Sequence, residues 1–521
     1  MQSSFNQILD RKIFLTIICL SFFVFILSSD AHRFTFDEDV NQLQSLWLAT
    51  MTPDPKFVLG ESRMLFQYPD YFPNNQRPIC EIGVLCSQVP IGFTVTQVPF
   101  ILINIAFDFI TPSTVIFTDE DFPDPHYVYW RNSLPPNFTF LELFYAPFFA
   151  ALSVGVFYLI SRTYLFSPKV STILSILFAF TTTLWAYSQT SLNVVTLTFF
   201  ILFGFFFFRK FIISSSSRYA LMSGIVFGFA FLVRNDAILF IIPLFFFVIF
   251  KSLKNSNKIK NSKTIQNFLL FIVPMISSYV IHVQIGIMRG LQSDVATSAP
   301  ASFGASSQFA YWNVFGMLFA PGVGVLIFAP ILFTMFLSFF DFFKKNKTEC
   351  LLLVSFLVAF LIFYSQADTW HGLNGWSDRY LLAVVPFLLL PLGFSIQKRL
   401  NKTFYLILIG LGFTGVIFNI SYLVTDVSWF IWGIMGSGKG LYELGHVATT
   451  LWVHPLVLWT FEYSQLTHSL RYALVSLHPD IFLLKVWGIY FYSIFSTISI
   501  GLLTFYLIHL NKKSINNVKK L

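Results

Sequence analysis

The stretch FFVFILSSDAHRFTFDEDVNQ, residues 22–42, passes from an apolar run directly into a group of acids. Its first residues end a run that is as apolar as a membrane span, and three consecutive acids, Asp37, Glu38 and Asp39, follow shortly afterwards. Ionisable groups this close to a bilayer are either stabilised by local structure or serve a function. The rest of the chain has to decide between these two explanations.

The composition is that of a membrane protein. Of the 521 residues, 55% are hydrophobic and only 11% are charged, which is far from the average soluble domain. A membrane-spanning helix needs about 20 apolar residues, and about twelve runs of the chain approach this length. The sequence therefore predicts an all-α polytopic membrane protein with about 12 transmembrane helices. The runs are residues 13–29, 139–161, 170–187, 192–208, 219–233, 236–250, 266–286, 313–340, 350–366, 379–396, 403–424 and 485–509. No small-residue cleavage pattern follows the first run, so we expect it to be a retained signal anchor.

The charges predict an orientation for these spans. If both termini are cytoplasmic, the inner loops carry most of the 33 Lys and Arg residues but, of the 25 acids, only Asp10, Asp341 and Glu349. The positive-inside rule favours this arrangement, in a multi-pass protein of the cell membrane. The net charge of +8 then indicates lysines that meet lipid headgroups rather than a surface for nucleic acid.

The same topology predicts one transmembrane domain, residues 1–510, followed by a basic cytoplasmic tail, residues 511–521. The longest inner loop, residues 251–265, is too short for a folded domain. By contrast, extracytoplasmic loop 1 (residues 30–138) and a late extracytoplasmic loop (residues 425–484) are long. We therefore expect the activity at the outer face of the membrane.

Loop 1 contains a further apolar segment and two cysteines. Residues 87–109 are apolar enough to span, but two prolines interrupt them and an extra span would invert the charge pattern of every later loop. We expect an interfacial or half-buried helical hairpin there, with a true extra span as the alternative. Cys80 and Cys86 lie close enough in sequence to form a disulfide in an oxidising compartment, and the sequence leaves their state open.

The acids at 37–39 have two interpretations. Apolar residues recur at helical spacing after them, so a helix starts at the acids and lies along the membrane surface. Thr35 and Glu38 have the spacing of a capping box, and acids suit the first turn of a helix. The alternative is that the acids line a water-filled cavity and take part in chemistry. Spacing alone does not choose between the two.

Five stretches, however, are similar to motifs of the GT-C membrane glycosyltransferases. They are FDEDVNQLQSLWLA (36–49), SQVPIG (87–92), the paired spans at 151–190, the Gly-rich span SGIVFGFAFLVRNDAILFIIPLF (223–245) and WHGLNGWSDRYLLAVVPFLLLPLG (370–393). In order and layout the chain resembles protein mannosyltransferases and the lipid-A-type and arabinose-type transferases of the glycosyltransferase 39-like group. It departs from them at Asp39 and Asp378, and it lacks the large soluble domain of oligosaccharyltransferases. A one-sugar transferase fits this pattern better than a transferase of whole oligosaccharides.

The resemblance implies a reaction and a set of site residues. A polyprenyl-phosphate-linked sugar would be the donor, and a hydroxyl of a protein, lipid or glycan would be the acceptor. Asp37 would be the general base and Glu38 would orient it or the acceptor. Cations predicted at outer span ends would bind the donor phosphate, and these are Arg379, Arg234, His371 and Arg289. Two alternatives stay open, namely that Arg379 pairs with Asp378 and that Arg234 pairs with Asp236.

Two further sites are predicted with their alternatives. Trp376 would stack on a sugar, or would anchor the chain at the membrane interface. Asp119, Glu120 and Asp121 supply hard oxygen ligands for a divalent cation such as Mg²⁺ or Mn²⁺, although such a run also suits a solvated loop. No cofactor is certain from the sequence.

Two other functions compete with glycosyl transfer. A transporter or flippase of lipid-linked sugars would have a similar number of spans, but it predicts ionisable residues in mid-membrane and matched halves of the chain. A glycan polymerase or ligase would use the later outer loops. The concentration of acids in loop 1 favours the transferase.

Overall fold

The fold is described from a computed structural model of the chain. The described residues are 2–31, 36–50, 90–110, 139–254, 262–288, 309–367, 370–372, 375–398, 401–425, 455–475 and 479–519. Several predicted residues lie outside the described residues, namely Cys80, Cys86, Asp119, Glu120, Asp121 and Arg289.

The described residues form helices without strands, and six of their helices are long and apolar enough to cross a membrane. The predicted all-α polytopic membrane fold is confirmed. In chain order the helices are α1 (Gln2–Leu27), α2 (Phe36–Thr50), α3 (Ile91–Ile110), α4 (Thr139–Thr163), α5 (Pro168–Thr181), α6 (Leu184–Tyr187), α7 (Asn193–Ser214), α8 (Ser217–Val233), α9 (Ile238–Lys254), α10 (Ser262–Met288), α11 (Ala310–Phe319), α12 (Val325–Phe328), α13 (Thr334–Lys345), α14 (Lys347–Tyr364), α15 (Val385–Lys398), α16 (Lys402–Leu423), α17 (Pro455–Trp459), α18 (Gln465–Val475) and α19 (Phe482–Lys519).

The twelve predicted runs coincide with helix, but not all of them are continuous. The run at 379–396 begins with a 3-10 helix, Arg379–Leu381, before α15, and α19 has non-helical backbone at Gly488. Two other runs are divided more strongly. The run at 313–340 is divided into α11, α12 and α13, with a 3-10 helix at Pro330–Phe333. Pro321 and Pro330 explain these breaks, since proline lacks the backbone N–H and disfavours helix in the residue before it. The run at 170–187 is likewise divided into α5 and α6. The prediction of one continuous span was wrong in both places.

The apolar segment of loop 1 is also different from the prediction. Residues 87–109 were expected to form a hairpin, whereas α3 is a single helix that continues through Pro99 and packs against α2, α4 and α8. A proline inside a helix removes one hydrogen bond but does not force the chain to reverse. The hairpin prediction was therefore wrong, and α2 and α3 form the packed pair instead.

Helix α8 reaches its position through close contact with α10. Its sequence contains the pair Gly224 and Gly228, spaced as in GxxxG. A Cβ at Gly224 would lie 2.3 Å from the carbonyl oxygen of Phe271, and one at Gly228 would lie 2.9 Å from that of Pro274. Small residues with this spacing let two membrane helices approach closely. The packing fixes the C-terminal end of α8, where Arg234 follows.

Several helix ends meet at the end of the bundle that carries Arg234. The amide of Phe482 donates to the carbonyl of Ser29 at 2.9 Å, and the amide of Asp480 donates to that of Val424 at 3.2 Å. These bonds tie the start of α19 to the ends of α1 and α16. The charge pattern predicts that this end faces away from the cytoplasm, and this assignment of sides stays a prediction.

Candidate active site

Helix α2 turns its polar side into the protein. The side chains of Glu38, Gln42 and Ser45, one helical turn apart, are all fully buried, and Asn41 is only 4% exposed. The acids at 37–39 lie in this helix, as the sequence predicts. The predicted cap at Thr35 lies outside the described residues and stays a prediction. A buried polar face needs hydrogen-bond partners from neighbouring elements. Other helices at this end of the bundle provide them.

The first partners form a group of four residues that we call the acid cluster: Glu38, Gln42, Glu142 and Ser191. The amide of Ser191 donates to Glu38 Oε1 at 2.8 Å, and Gln42 Nε2 donates to Ser191 Oγ at 2.9 Å and to Glu142. The Ser191 hydroxyl lies within 3.5 Å of both carboxylates. Glu142 is in the first turn of α4, where the helix dipole favours negative charge. Two buried carboxylates are thus held around one hydroxyl.

A second group of hydrogen bonds fixes α3 beside this cluster. Ser45 Oγ donates to Gln97 Oε1 at 2.7 Å. The hydroxyl of Tyr145 lies 2.7 Å from the hydroxyls of Thr96 and Thr196. Helices α2, α3, α4 and α7 are therefore joined by polar contacts in addition to apolar packing.

Arg234 lies in a second group, the arginine clasp, which we define as Arg234, Asp236, Asn193 and Tyr364. Its Nε forms an ion pair with Asp236 at 2.8 Å, while its two terminal nitrogens donate to Asn193 and Tyr364 at 3.1 Å each. The Tyr364 hydroxyl donates in turn to Asp236 at 2.6 Å. The pairing with Asp236 is the alternative that the sequence left open, and the phosphate-binding role of Arg234 stays a prediction.

Arg379 lies beside the same clasp. Its guanidinium is 5.7 Å from the centre of the Tyr380 ring, and that of Arg234 is 5.1 Å from the same centre. Tyr380 is stacked on Tyr364 with 3.9 Å between the ring centres. Two of the predicted phosphate ligands are therefore gathered around one tyrosine, and the Arg379 side chain is only half-buried.

The loop that carries Arg379 is held by the break between α11 and α12. The amide of Asp378 donates to the carbonyl of Val323 at 2.8 Å. Gln465 Nε2 links the carbonyls of Gly322 and Gly375 at 3.0 and 2.9 Å. A continuous helix would have used the carbonyls of Gly322 and Val323 internally. The proline-induced break therefore helps to position the arginine loop.

Two ionisable groups in this loop have shifted pKa values. Burial raises the pKa of Asp378 to about 8, although the Tyr380 amide and the charges of Arg379 and Arg234 oppose this shift. Burial, with a contribution from Arg379, lowers the pKa of His371 to about 4. His371 is therefore neutral near pH 7 and could offer a donor phosphate a single N–H but no positive charge. Its predicted role as a cationic ligand is not favoured by this environment.

The acid cluster and the arginine clasp are joined by residues 187–193, which we call the polar strut. Ser191 of the strut bonds Glu38, and Asn193 bonds Arg234. Two residues of extended chain span at most about 7 Å, so the two groups are close neighbours. The strut therefore holds the carboxylate of Glu38 near the guanidinium group of Arg234. Neither of these two hydrogen bonds joins the carboxylate to the guanidinium directly.

The strut also reaches the arginine loop at its other end. The Tyr187 hydroxyl donates to the carbonyl of Ser377 at 3.3 Å, and a Cβ at Gly375 would lie 2.6 Å from this hydroxyl. Sequence reasoning missed the strut. Its signal was the polar run Ser188–Ser191, which separates two strongly apolar runs.

Trp376 is packed in the protein interior. The ring is 1% exposed, with the Phe328 ring at 4.7 Å and the Tyr422 ring at 4.6 Å between centres. This packing favours a structural role, and the predicted sugar contact stays a prediction.

Other predicted roles are not tested by the described residues. The side chain of Asp37 lies outside them although its backbone is in α2. Among the described residues, no three His, Cys, Asp or Glu side chains come together as a metal site would require. Residues 119–121 lie outside the described residues, and the metal site there stays a prediction.

Comparison with known proteins bears on the family. Residues 143–282 match the model of a family described as dolichyl-phosphate-mannose-protein mannosyltransferase. The predicted resemblance to GT-C membrane glycosyltransferases is confirmed. The matched region runs from α4 into α10, so it contains Ser191, Asn193 and Arg234 of the site. This match supports the prediction that the chain is a glycosyltransferase.

Two solved structures of ArnT from Cupriavidus metallidurans are similar in fold. The structure bound to undecaprenyl phosphate is 11% identical, with 88% of this chain and 77% of that chain covered and a TM-score of 0.49. The apo structure is 12% identical, with 90% and 78% covered and a TM-score of 0.46. No curated protein sequence matches the chain.

Proposed function

We propose that the chain is a glycosyltransferase that moves one sugar from a polyprenyl-phosphate donor to a hydroxyl of a protein, lipid or glycan at the extracytoplasmic end of the bundle. The observation that carries the proposal is the polar strut, which bonds Glu38 on one side and Arg234 on the other. The family match, whose description names a dolichyl-phosphate sugar, supports the donor class.

Opposite charges held close together suit this reaction. The acceptor hydroxyl needs a carboxylate as general base, whereas the leaving phosphate gains negative charge and needs cations. A carboxylate beside the phosphate would repel it. The strut holds the two groups apart, because Glu38 and Arg234 bond different residues of it, Ser191 and Asn193.

The chemistry is a direct displacement. Asp37 removes the proton of the acceptor hydroxyl as its oxygen attacks the anomeric carbon. The bond from that carbon to the phosphate oxygen breaks, and its electron pair stays on the lipid phosphate. Glu38 holds the start of α2 through Ser191, and thereby the backbone of Asp37.

Arg379 is the principal phosphate ligand in this proposal. It is half-buried in the loop before α15 and lies beside the Tyr380 ring at the edge of the clasp. Arginine matches two phosphate oxygens with its planar fork. Arg234 then contributes charge and holds the Tyr380 ring in place.

The role of Asp37 as general base is tested by measuring the rate of sugar transfer in membranes that contain the Asp37→Asn variant. With a labelled polyprenyl-phosphate sugar, we expect the rate to fall about 10²- to 10⁴-fold at equal protein level. Asp39→Asn is the matched control, because it removes the same charge two residues later, and it should retain transfer within a few-fold. Undiminished transfer by Asp37→Asn would reject Asp37 as the base.

The test of the donor site is Arg379→Ala. We expect the KM for the donor to rise and kcat to fall while the yield of folded protein is kept. A protein that moves the labelled lipid across the bilayer but forms no new glycosidic bond would be a flippase, and this result would overturn the transferase.

A further inference from the structure

A second polar cavity lies at the opposite end of the bundle from the candidate active site. Its volume is about 530 Å³, and it is formed by the turn between α4 and α5, by Arg209 of α7 and by the C-terminal ends of α13 and α15. No residue of the acid cluster, the arginine clasp or the polar strut lines this cavity.

The floor of this cavity carries a buried arginine whose charge is balanced by Glu349. The guanidinium of Arg209 lies 4.1 Å from the centre of the Tyr164 ring, and it pairs with Glu349 and donates to Thr163 at 3.4 Å. Its side chain is only 9% exposed. Arg209 is therefore held rigidly below the cavity rather than at its mouth.

The rim carries two cations that can turn toward a ligand. Lys398 pairs with Asp341 at 3.3 Å, but their side chains are 64% and 37% exposed. An ion pair this exposed contributes little and exchanges readily. The ammonium of Lys345 lies 5.4 Å from the centre of the Phe394 ring, which forms part of the same cavity. Two ammonium groups thus flank one opening.

Apolar surface continues from the rim along α13. Phe336, Leu337 and Phe340 are 54%, 54% and 70% exposed, and Asp341 and Lys345 follow them on the same helix at four-residue spacing. A helix surface of this kind contacts acyl chains, whereas a site for a soluble anion needs no such surface. The charged cavity and the apolar strip together have the layout of a headgroup and its lipid tails.

We propose that this cavity binds the headgroup of an anionic phospholipid. Its volume lies within the range of small-ligand sites. The phosphate would lie between Lys345 and Lys398, where it would replace the Asp341 carboxylate as the partner of Lys398. The positive-inside pattern adds support, since basic pockets between helices at the cytoplasmic side attract anionic lipid.

The test uses the full-length protein in detergent, titrated with short-chain phosphatidylglycerol and followed by native mass spectrometry. The double variant Lys345→Ala/Lys398→Ala should weaken binding about 30-fold. The control Lys344→Ala/Lys402→Ala removes two exposed lysines outside the lining of the cavity, with the same change in net charge, and should bind as wild type. Equal weakening in both pairs would show a general charge effect and overturn the proposal.

A second variant guards against a folding defect. Asp341→Asn removes the acid that competes with the phosphate for Lys398, so the affinity for phosphatidylglycerol should rise by a few-fold. Phosphatidylcholine and soluble glycerol phosphate complete the titrations. A fall in affinity for Asp341→Asn, or binding of glycerol phosphate as tight as that of the lipid, would reject a lipid headgroup site.

Discussion

The change Arg234→Met tests whether this arginine is a structural clasp or a phosphate ligand. Methionine keeps much of the length and apolar volume of the side chain but removes the charge and every N–H donor. Asp236 would then remain buried, at 6% side-chain exposure, without its ion-pair partner. The described contacts of Arg234 predict a defect in stability before any defect in catalysis.

The size of the defect follows from the burial of the pair. With side chains 14% and 6% exposed, Arg234 and Asp236 are shielded from water. Removal of one partner of a buried pair typically costs about 3–5 kcal/mol, and the lost bonds to Asn193 and Tyr364 add about 1 kcal/mol each. The double variant Arg234→Met/Asp236→Asn removes both charges, so we expect it to recover about 2 kcal/mol relative to the sum of the single changes.

The assay is equilibrium unfolding of the purified protein in mixed micelles titrated with SDS. The wild type, the two single variants and the double variant form a double-mutant cycle, and donor KM is measured on the same preparations. A free energy of unfolding unchanged by Arg234→Met, together with a raised donor KM, would refute the clasp and make Arg234 a phosphate ligand. Additive single changes would show that the pair is not coupled.

Three further predictions use other parts of the site and fold. Burial raises the pKa of Asp378 to about 8, so its contribution to stability is fully present below about pH 4 and is lost as the pH rises through about 8. Thermal unfolding should therefore show that Asp378→Asn stabilises the protein at pH 8, by the order of a few kcal/mol, and has little effect at pH 4. Glu142→Gln keeps an acceptor in the acid cluster but removes its charge, so kcat for sugar transfer should fall about tenfold with donor KM unchanged; an unchanged kcat would exclude a role for that charge. Gly224→Ala places a Cβ 2.3 Å from a backbone oxygen of α10 and should lower the yield of folded protein, whereas Gly410→Ala, which meets no atom within 4 Å, should leave it unchanged; equal yields would reject the close packing.

The sequence predicted those features that depend on residues close together in the chain. Apolar runs predicted the helices because burial in hydrocarbon forces each long apolar segment to satisfy its own backbone. The presence of helix α2 at residues 36–50 followed from the helical spacing of apolar residues after the acids. The pairing of Arg234 with Asp236 was also visible as an alternative, since the two residues lie two positions apart.

The direction in which α2 faces could not be predicted. Its apolar spacing indicated a helix on the membrane surface with its polar side toward water, whereas Glu38, Gln42 and Ser45 are buried. Their partners Glu142 and Ser191 lie 100 or more residues away in the chain. A single sequence does not reveal such pairings, and a polar helix face has the same appearance whether water or protein satisfies it.

Two irregular stretches, the polar strut and the break between α11 and α12, explain why the candidate site lies where it does. Ser191 donates its amide to Glu38 because it lies before the first turn of α7, and the carbonyl of Val323 accepts from Asp378 because it lies between α11 and α12. In a continuous span the carbonyl of Val323 would be used within the helix. Irregular backbone at membrane depth is tolerated only where protein or a cavity satisfies it. These irregular stretches therefore supply the backbone groups that hold the acid helix and the arginine loop.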